Sequence, residues 1–427
     1  MLKPQPEIDR KSLLFLSSAF LFRIGLATMT FEEIRPLSIL FADYFFFSSL
    51  LLLLCSGQRR LLISRGSGVL AASAVILCGA LVSGVNTGPG LRIVILFGVF
   101  APLAVAHAKD IRRNMRFLVA GVFTNCVIAL LAAWTSPGIV RALAVNPRVP
   151  DFGQELGRFA GIAGHPNDLG ASAALAVLIA LGLLQYENSP MRRWGLFVCI
   201  LVCTIAAILS GSRTFFVALV PASVVLALWR PWNQKLVARL CLSLVVLFAA
   251  WASVSYLASD VTTSYAERLS KTSADDYENS GRLAMAALAM AEIAQKPITG
   301  WGLEHFGEAG MMYIPDAGGF LPAHDNFLHF WYAEGILGAI GFALLFFLPV
   351  KRMLQALKKG CPDNLSKALS LGICVYLLLF ITCNLHPVLF NRFLYMPLFV
   401  FGGLNASISD RANAWFGMKL SHKQLPH

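Results

Sequence analysis

The stretch AHDNFLHFWYAEGILGAIG, residues 323–341, places four polar side chains at the head of an apolar segment. His324, Asp325 and Asn326 are consecutive, and His329 follows about one helical turn after Asp325. The positive end of a helix dipole disfavours the protonated form of a nearby histidine. A neutral imidazole is what a general base requires. We therefore predict that His324 is a general base; the alternative is that it only caps the helix.

Two short motifs place an arginine beside serine and glycine at a predicted helix start. They are SGSR, residues 210–213, and SGR, residues 280–282, with the serines as expected caps. A cation in the first helical turn is unfavourable unless an anion binds beside it. We therefore predict that Arg213 and Arg282 bind an anion. The alternatives are arginines that extend to the membrane interface or into water.

A further motif, GRFAGIAGHPNDLG at residues 157–170, has a proline in position to begin a helix. His165 and Asn167 could serve there only as helix caps, or they could contact a substrate. The segments that connect the predicted membrane spans on the same side as these motifs carry mainly arginine as their basic residue. Arginine binds phosphate through two parallel hydrogen bonds. The predicted substrate-binding residues are Arg141, Arg158, His165, Asn167, Asp325 and Asn326.

No metal or cofactor site is predicted. The spacing of His324, Asp325 and His329 matches no zinc signature, and the nine cysteines include no C-x-x-C pair. The sequence also contains no nucleotide-binding loop. Any chemistry is therefore expected to run without a bound metal or cofactor.

The elements that must position these residues are membrane spans. The chain is 57% hydrophobic and 14% charged, whereas soluble domains have about 45–50% apolar and about 25% charged residues. Apolar runs of roughly 20 residues predict about twelve spans in one all-α membrane domain over residues 1–427. The predicted spans are 12–30, 37–55, 61–83, 91–107, 117–135, 168–186, 194–209, 214–229, 237–257, 326–349, 367–385 and 393–408.

The connecting segments alternate between two groups. One group, which includes both termini, holds most of the 35 lysines and arginines, so the positive-inside rule predicts that it is cytoplasmic. The other group includes the long segments 136–167 and 258–325, which we predict to be extracytoplasmic. The net charge of +12 therefore reflects topology and argues against nucleic-acid binding. Within 258–325, SGRLAMAALAMAEIAQKP predicts an amphipathic helix that starts after Ser280 and stops at Pro297.

Four motifs, in order, resemble the bacterial O-antigen ligase and polymerase superfamily. They are GIAGHPNDLG, LSGSRTFFVAL, GRLAMAALAMAEIAQKPITGWGLEHFG and HDNFLHFWYAEGILG. In that superfamily a histidine precedes a small polar residue, nine further residues and Gly-x-x-Gly, as His324 and Asp325 precede residues 335–338 here. Asp325 departs from the pattern, because the ligases usually carry Asn, Ser or Gln at that position.

The resemblance implies a GT-C-like helical bundle in the bacterial inner membrane, with a large periplasmic loop between the ninth and tenth spans. It implies a glycosyltransferase that moves an O-antigen glycan from undecaprenyl diphosphate to lipid A–core, with inversion and without metal or nucleotide. His324 is then the base, and Arg213 and Arg282 bind the diphosphate. Three alternatives stay open: an O-antigen or exopolysaccharide polymerase, a protein O-oligosaccharyltransferase, and a lipid-linked glycan flippase or transporter.

Overall fold

The computed structural model describes residues 10–31, 40–57, 68–84, 88–134, 160–228, 277–302, 312–314, 319–321, 325–386 and 391–404. Helices dominate these residues, which confirms the predicted all-α membrane class. The helices are α1 Arg10–Thr28, α2 Phe41–Cys55, α3 Gly68–Ser83, α4 Gly88–Ile93, α5 Ala101–His107, α6 Ile111–Trp134, α7 Pro166–Leu184, α8 Pro190–Leu209, α9 Arg213–Leu228, α10 Tyr277–Gln295, α11 Asn326–Lys358, α12 Asp363–Cys383 and α13 Arg392–Leu404. A π-helical turn, Val94–Phe100, joins α4 to α5, and short 3₁₀ turns lie at Ala108–Asp110 and Gly161–Ala163.

A small hairpin accompanies the helices. Its antiparallel strands are β1 Met312–Ile314 and β2 Gly319–Leu321, paired with Tyr313 opposite Phe320. The sequence analysis did not predict this hairpin. It lies in the segment between α10 and α11, so it leaves the helical class unchanged.

The predicted spans correspond well to the observed helices. Apolar runs form helices in a membrane because every backbone hydrogen bond must be satisfied within the segment. Each predicted span except the ninth overlaps a described helix, and the ninth, 237–257, lies outside the described residues. Six described helical stretches are long and apolar enough to cross a membrane, one of them the continuous run Gly90–Ala132. Shorter apolar helices accompany them, so the count of twelve stays a prediction.

The chain turns sharply between α8 and α9. Helix α8 ends at Leu209 and α9 begins at Arg213, and Gly211 between them has a φ of 62°. This conformation favours glycine because an L side chain would clash with the backbone. The predicted division of residues 194–229 into two helices is confirmed.

The helix expected after Ser280 begins earlier than predicted. Helix α10 starts at Tyr277, so the prediction that Ser280 is its N-cap is wrong. A glycine inside a helix costs only about 1 kcal/mol, and the residues around Gly281 continue the helix through it. Arg282 therefore lies beyond the first turn, where the helix dipole has little effect. The predicted end before Pro297 is confirmed.

Aromatic rings fill the core between α11, α13 and the π-helical turn. Phe97 contacts Phe330, Tyr395 and Phe399 at ring-centroid distances of 5.3 to 6.0 Å, all in edge-to-face geometry. Such contacts combine a large buried apolar area with a defined orientation. They fix the start of α13 beside the first turns of α11.

Candidate functional site

His165 caps the start of α7. Its backbone is extended, with a φ of −138°, and its Nδ1 accepts a hydrogen bond from the backbone N–H of Asn167 at 3.1 Å. Pro166 occupies the first helical position, where a missing N–H costs nothing. His165 therefore caps the helix, and its contact with a substrate stays a prediction. Its imidazole is exposed and held in place by the helix that it caps.

Asp168, in the first turn of α7, forms a hydrogen-bonded network with residues more than 200 positions later. His386 Nε2 lies 2.7 Å from Asp168 Oδ1, and Asn391 Nδ2 donates to the same oxygen at 3.0 Å. The rings of His165 and His386 stack with their centroids 5.3 Å apart. The network therefore joins the start of α7 to the end of α12 and the start of α13. We call this end of the bundle the His165 end.

The donor set of this network does not suit a metal. Ligand atoms of His165, Asp168 and His386 lie within 4.8 Å of one another. A neutral imidazole has one nitrogen lone pair, and His165 uses it at Nδ1 to cap α7. Its Nε2 therefore carries the proton and cannot bind a cation. Only Asp168 and His386 are left, and they already bond to each other.

A buried ion pair lies beside the network. Arg392, next to Asn391, donates from Nε to Asp43 Oδ1 at 3.1 Å and from Nη2 to Asp43 Oδ2 at 2.8 Å. Both residues are buried. This arginine is engaged by a carboxylate through the same two-pronged geometry that would bind a phosphate, so it fixes α2 to α13.

The SGSR turn contacts the first turns of α7. A Cβ atom added at Gly170 would lie 2.3 Å from Ser212 Cβ, so the two backbones meet with no space for a side chain. The Ser210 hydroxyl donates to Ala207 O at 2.7 Å and accepts from the Ser212 N–H at 3.3 Å. Ser212 directly precedes α9. The motifs that contain His165 and Arg213 therefore meet at the His165 end.

Asp325 caps α11 at the same end. Its carboxylate accepts a hydrogen bond from the Leu328 N–H at 3.1 Å. Burial raises the pKa of Asp325 above its ordinary value, although backbone N–H groups of Leu328 and Phe327 partly offset this effect. Asn326 is fully buried and interacts with the thiol of Cys383, the last residue of α12. The α11 start thus lies against the α12 end, three residues from His386.

Gly335 bends α11 where a neighbouring segment passes. Its φ of 66° and ψ of −156° are not helical, and a Cβ there would lie 2.0 Å from Ile298 O. Backbone hydrogen bonds join the segment 298–302 to the bend: Trp301 N–H to Tyr332 O at 2.8 Å, Gly302 N–H to Ala333 O at 2.9 Å and Ile336 N–H to Ile298 O at 3.3 Å. Gly335, the first glycine of the Gly-x-x-Gly motif, thus leaves space for the ITGWG segment, residues 298–302.

Helix α10 packs on α11 through the same region. Ala289 and Ile293 form a buried cluster with Tyr332. Trp301 Nε1 donates to Glu292 O at 2.9 Å, and the Lys296 ammonium lies 3.9 Å from the Trp301 ring centroid. The motif that contains Arg282 is therefore attached to the first turns of α11.

A comparison with protein families matches residues 195–343 to the family described as O-antigen ligase. The matched segment covers 149 of the 427 residues, about a third of the chain. This family implies a membrane enzyme related to glycosyltransferases, within the O-antigen ligase and polymerase superfamily. No curated protein matches the chain. The motifs around Arg213, Arg282 and Gly335 lie inside the matched segment, whereas Asp168 and His386 lie outside it.

The predicted site residues fall into three groups. His324, Arg141 and Arg158 lie outside the described residues. Arg213 is the first residue of α9, and Arg282 lies within α10. The remaining predicted residues lie at the His165 end: His165, Asn167, Asp325 and Asn326.

The sequence analysis missed His386 and Asn391. Both stand in the polar segment NLHPVLFNR, which separates the predicted eleventh and twelfth spans. The sequence did contain a signal for them: this connection lies on the predicted outer side of the membrane and combines polar residues with a histidine. The partner, Asp168, could not be named because the two residues are 218 positions apart in the chain.

Proposed function

We propose that the protein transfers an O-antigen glycan from undecaprenyl diphosphate to lipid A–core at the periplasmic face of the bacterial inner membrane. The proposal requires both termini to be cytoplasmic and the GT-C-like bundle to present the His165 end to the periplasm. Membership of the matched segment in the O-antigen ligase family supports the reaction class. The alternation of basic and neutral connecting segments supports the orientation.

The observation that carries the proposal is the meeting of four separate motifs. Gly170 contacts Ser212, Asp168 bonds to His386, and Asn326 interacts with Cys383. The segment 298–302 bonds to the bend of α11. The residues just before Arg213 and just after His324 therefore lie at the same end of the bundle, the His165 end.

The proposed reaction is a single displacement. His324 accepts the proton of an acceptor hydroxyl, whose oxygen forms a bond to the anomeric carbon of the glycan. The bond from that carbon to the diphosphate oxygen breaks, and the diphosphate leaves with the electron pair. Arg213 and Arg282 stabilise its developing charge. Attack opposite the leaving group inverts the configuration, and the residues provide this chemistry without a metal or nucleotide.

The remaining polar residues are proposed to orient the two substrates. Asp325 and Asn326 directly follow the base at the start of α11, and His165 and Asn167 stand at the start of α7. Arg141 and Arg158 belong to the connection that precedes α7. The isoprenoid chain of the donor stays among membrane lipids, since each CH₂ that leaves the bilayer costs about 0.8 kcal/mol.

A reconstituted assay tests the proposal. The purified protein is placed in vesicles with a glycan on undecaprenyl diphosphate and with lipid A–core, without metal or nucleotide. We expect transfer to lipid A–core, and we expect His324→Ala to reduce its rate about 10²–10⁴-fold, the usual contribution of a general base. His422→Ala, near the C-terminus, is the matched control and should leave the rate unchanged.

The same assay separates the alternatives. Chain lengthening that does not need lipid A–core would support a polymerase of the same superfamily. Movement of the lipid-linked glycan across the bilayer without transfer, equally fast in His324→Ala, would support a flippase. The wild-type rate of transfer in His324→Ala would contradict the assigned base.

A further inference from the structure

A cavity lies at the end of the bundle opposite the His165 end. It has a volume of about 450 Å³ and opens between α6 and α8. Its lining residues are Arg116, Val119, Ala120, Phe123, Glu187, Arg192, Gly195, Leu196 and Cys199. Helix α8 has 20 residues and ends beside the SGSR turn, so its first turn lies roughly 25–30 Å from that turn. We call this cavity the Arg116 groove.

Charged groups occupy the mouth of the Arg116 groove. Arg116 Nη2 lies 2.5 Å from Glu187 Oε2, and Arg192 Nη1 lies 3.6 Å from Glu187 Oε1. One buried carboxylate therefore holds two guanidinium groups side by side. Each guanidinium carries five N–H donors, and these contacts occupy only some of them. Two positive charges and one negative charge leave the mouth with a net charge of +1.

The walls of the groove are apolar, and the wall formed by α8 includes a glycine, Gly195. Val119 and Phe123 on α6 face Leu196 and Cys199 on α8. Apart from its two chain neighbours and the backbone of its own helix, no described atom lies within 4 Å of the position that a Cβ of Gly195 would occupy. The groove is open at this position because residue 195 is glycine.

The exposed residues of α8 place the groove at a membrane interface. Met191, Trp194 and Val198 are exposed, Trp194 to 70%. Tryptophan is enriched at the level of lipid headgroups, and Val198, one turn further along α8, would then face acyl chains. The connecting segments at this end belong to the basic group that the charge pattern predicts to be cytoplasmic. Anionic lipid headgroups bind to basic pockets between helices on that side.

We infer that the Arg116 groove binds one anionic phospholipid of the adjacent leaflet. The phosphate binds between Arg116 and Arg192, and one acyl chain runs along Val119, Gly195 and Cys199. The two guanidinium groups match a phosphate in charge and geometry, and the apolar walls match a hydrocarbon chain. This inference does not depend on the proposed glycan transfer.

Native mass spectrometry of the delipidated full-length protein in detergent tests the inference. The probes are dioleoyl phosphatidylglycerol and, as the comparison with no net charge, the zwitterionic dioleoyl phosphatidylcholine. We expect one tightly retained phosphatidylglycerol. Arg116→Gln and Arg192→Gln should each weaken its binding about fivefold, the factor that corresponds to about 1 kcal/mol per arginine near a lipid headgroup. Arg193→Gln, an adjacent arginine that does not line the groove, is the matched control and should change binding less than twofold.

Gly195→Trp tests the groove without a change of charge. The new side chain fills the cavity, so phosphatidylglycerol should no longer be retained, while the melting temperature of the protein should not fall. Equal retention of the two lipids, or unchanged retention in Gly195→Trp, would overturn the inference. Displacement of the lipid by millimolar inorganic phosphate would also overturn it, because the site would then bind free phosphate.

Discussion

The His165 end and the Arg116 groove are built in opposite ways. At the His165 end polar side chains are buried and bonded to one another, as in the contact of Asp168 with His386. Backbones there approach so closely that Gly170 has no space for a Cβ. At the Arg116 groove the arginines are partly exposed, and Gly195 faces open space.

The rigid contacts at the His165 end are what the proposed chemistry at that end would require. Groups that act on a transition state must be held in position beforehand, since their reorganisation would otherwise add to the barrier. Buried hydrogen bonds and close backbone contacts hold the starts of α7 and α13 and the turn before α9 in this way. A lipid that only binds needs less precision, and an open groove with two arginines suffices. Mutations of matching kind at the two ends should therefore have very different effects.

The largest expected difference concerns two ion pairs. Asp43→Ala leaves Arg392 buried without its carboxylate, so we expect the free energy of unfolding to fall by about 3–5 kcal/mol. Asp363, at the opposite end, pairs with Lys367 while its side chain is 70% exposed. Asp363→Ala should cost at most about 1 kcal/mol. Unfolding in mixed micelles with increasing denaturing detergent measures both values, and equal losses would contradict the contrast between the ends.

A smaller difference is expected for two glycines. Gly335→Ala places a Cβ 2.0 Å from Ile298 O at a positive φ, so we expect a loss of about 3 kcal/mol from strain and displacement of the neighbouring segment. Gly195→Ala meets open space within a helix and should stabilise the protein by about 0.5–1 kcal/mol. Thermal melting of both variants gives the comparison. A Gly335→Ala variant as stable as the wild type would show that the bend of α11 is not needed.

The smallest expected effect concerns the cap of α11. Because burial raises the pKa of Asp325, the folded protein binds this proton more tightly than the unfolded chain does. The stabilisation from this group is complete below the ordinary aspartate pKa of about 3.9 and is lost as pH rises through the higher folded value. Asparagine caps a helix as well as aspartate, so Asp325→Asn should be as stable as the wild type or more stable at pH 7. Its advantage should disappear at low pH in melts from pH 4 to 8.

The variant Asp325→Ala checks whether Asp325→Asn still caps α11. This variant removes the acceptor for the Leu328 N–H and should be less stable than Asp325→Asn by about 1 kcal/mol at every pH. An Asp325→Asn variant that is clearly less stable than the wild type at pH 7, and equal to it at pH 4, would show that the carboxylate is favoured in the folded state.

Local features of the fold could be predicted from the sequence. The apolar runs located the helices, and the glycine and serines of SGSR located the turn before Arg213, because both signals act within a few residues. Ser280 was a wrong signal, since the residues around a single glycine can continue a helix. The bond between Asp168 and His386 and the pair of Asp43 with Arg392 could not be predicted, because their partners are 218 and 349 positions apart. Such contacts depend on which helices become neighbours.

The central claim is that Arg213, Arg282 and His324 surround one diphosphate at the His165 end. A cryo-electron microscopy structure of the protein in lipid nanodiscs with added undecaprenyl diphosphate tests it most directly. We expect the diphosphate between the guanidinium groups of Arg213 and Arg282, with the His324 imidazole facing it. Density for the diphosphate elsewhere, or a His324 side chain separated from both arginines by packed helices, would contradict it.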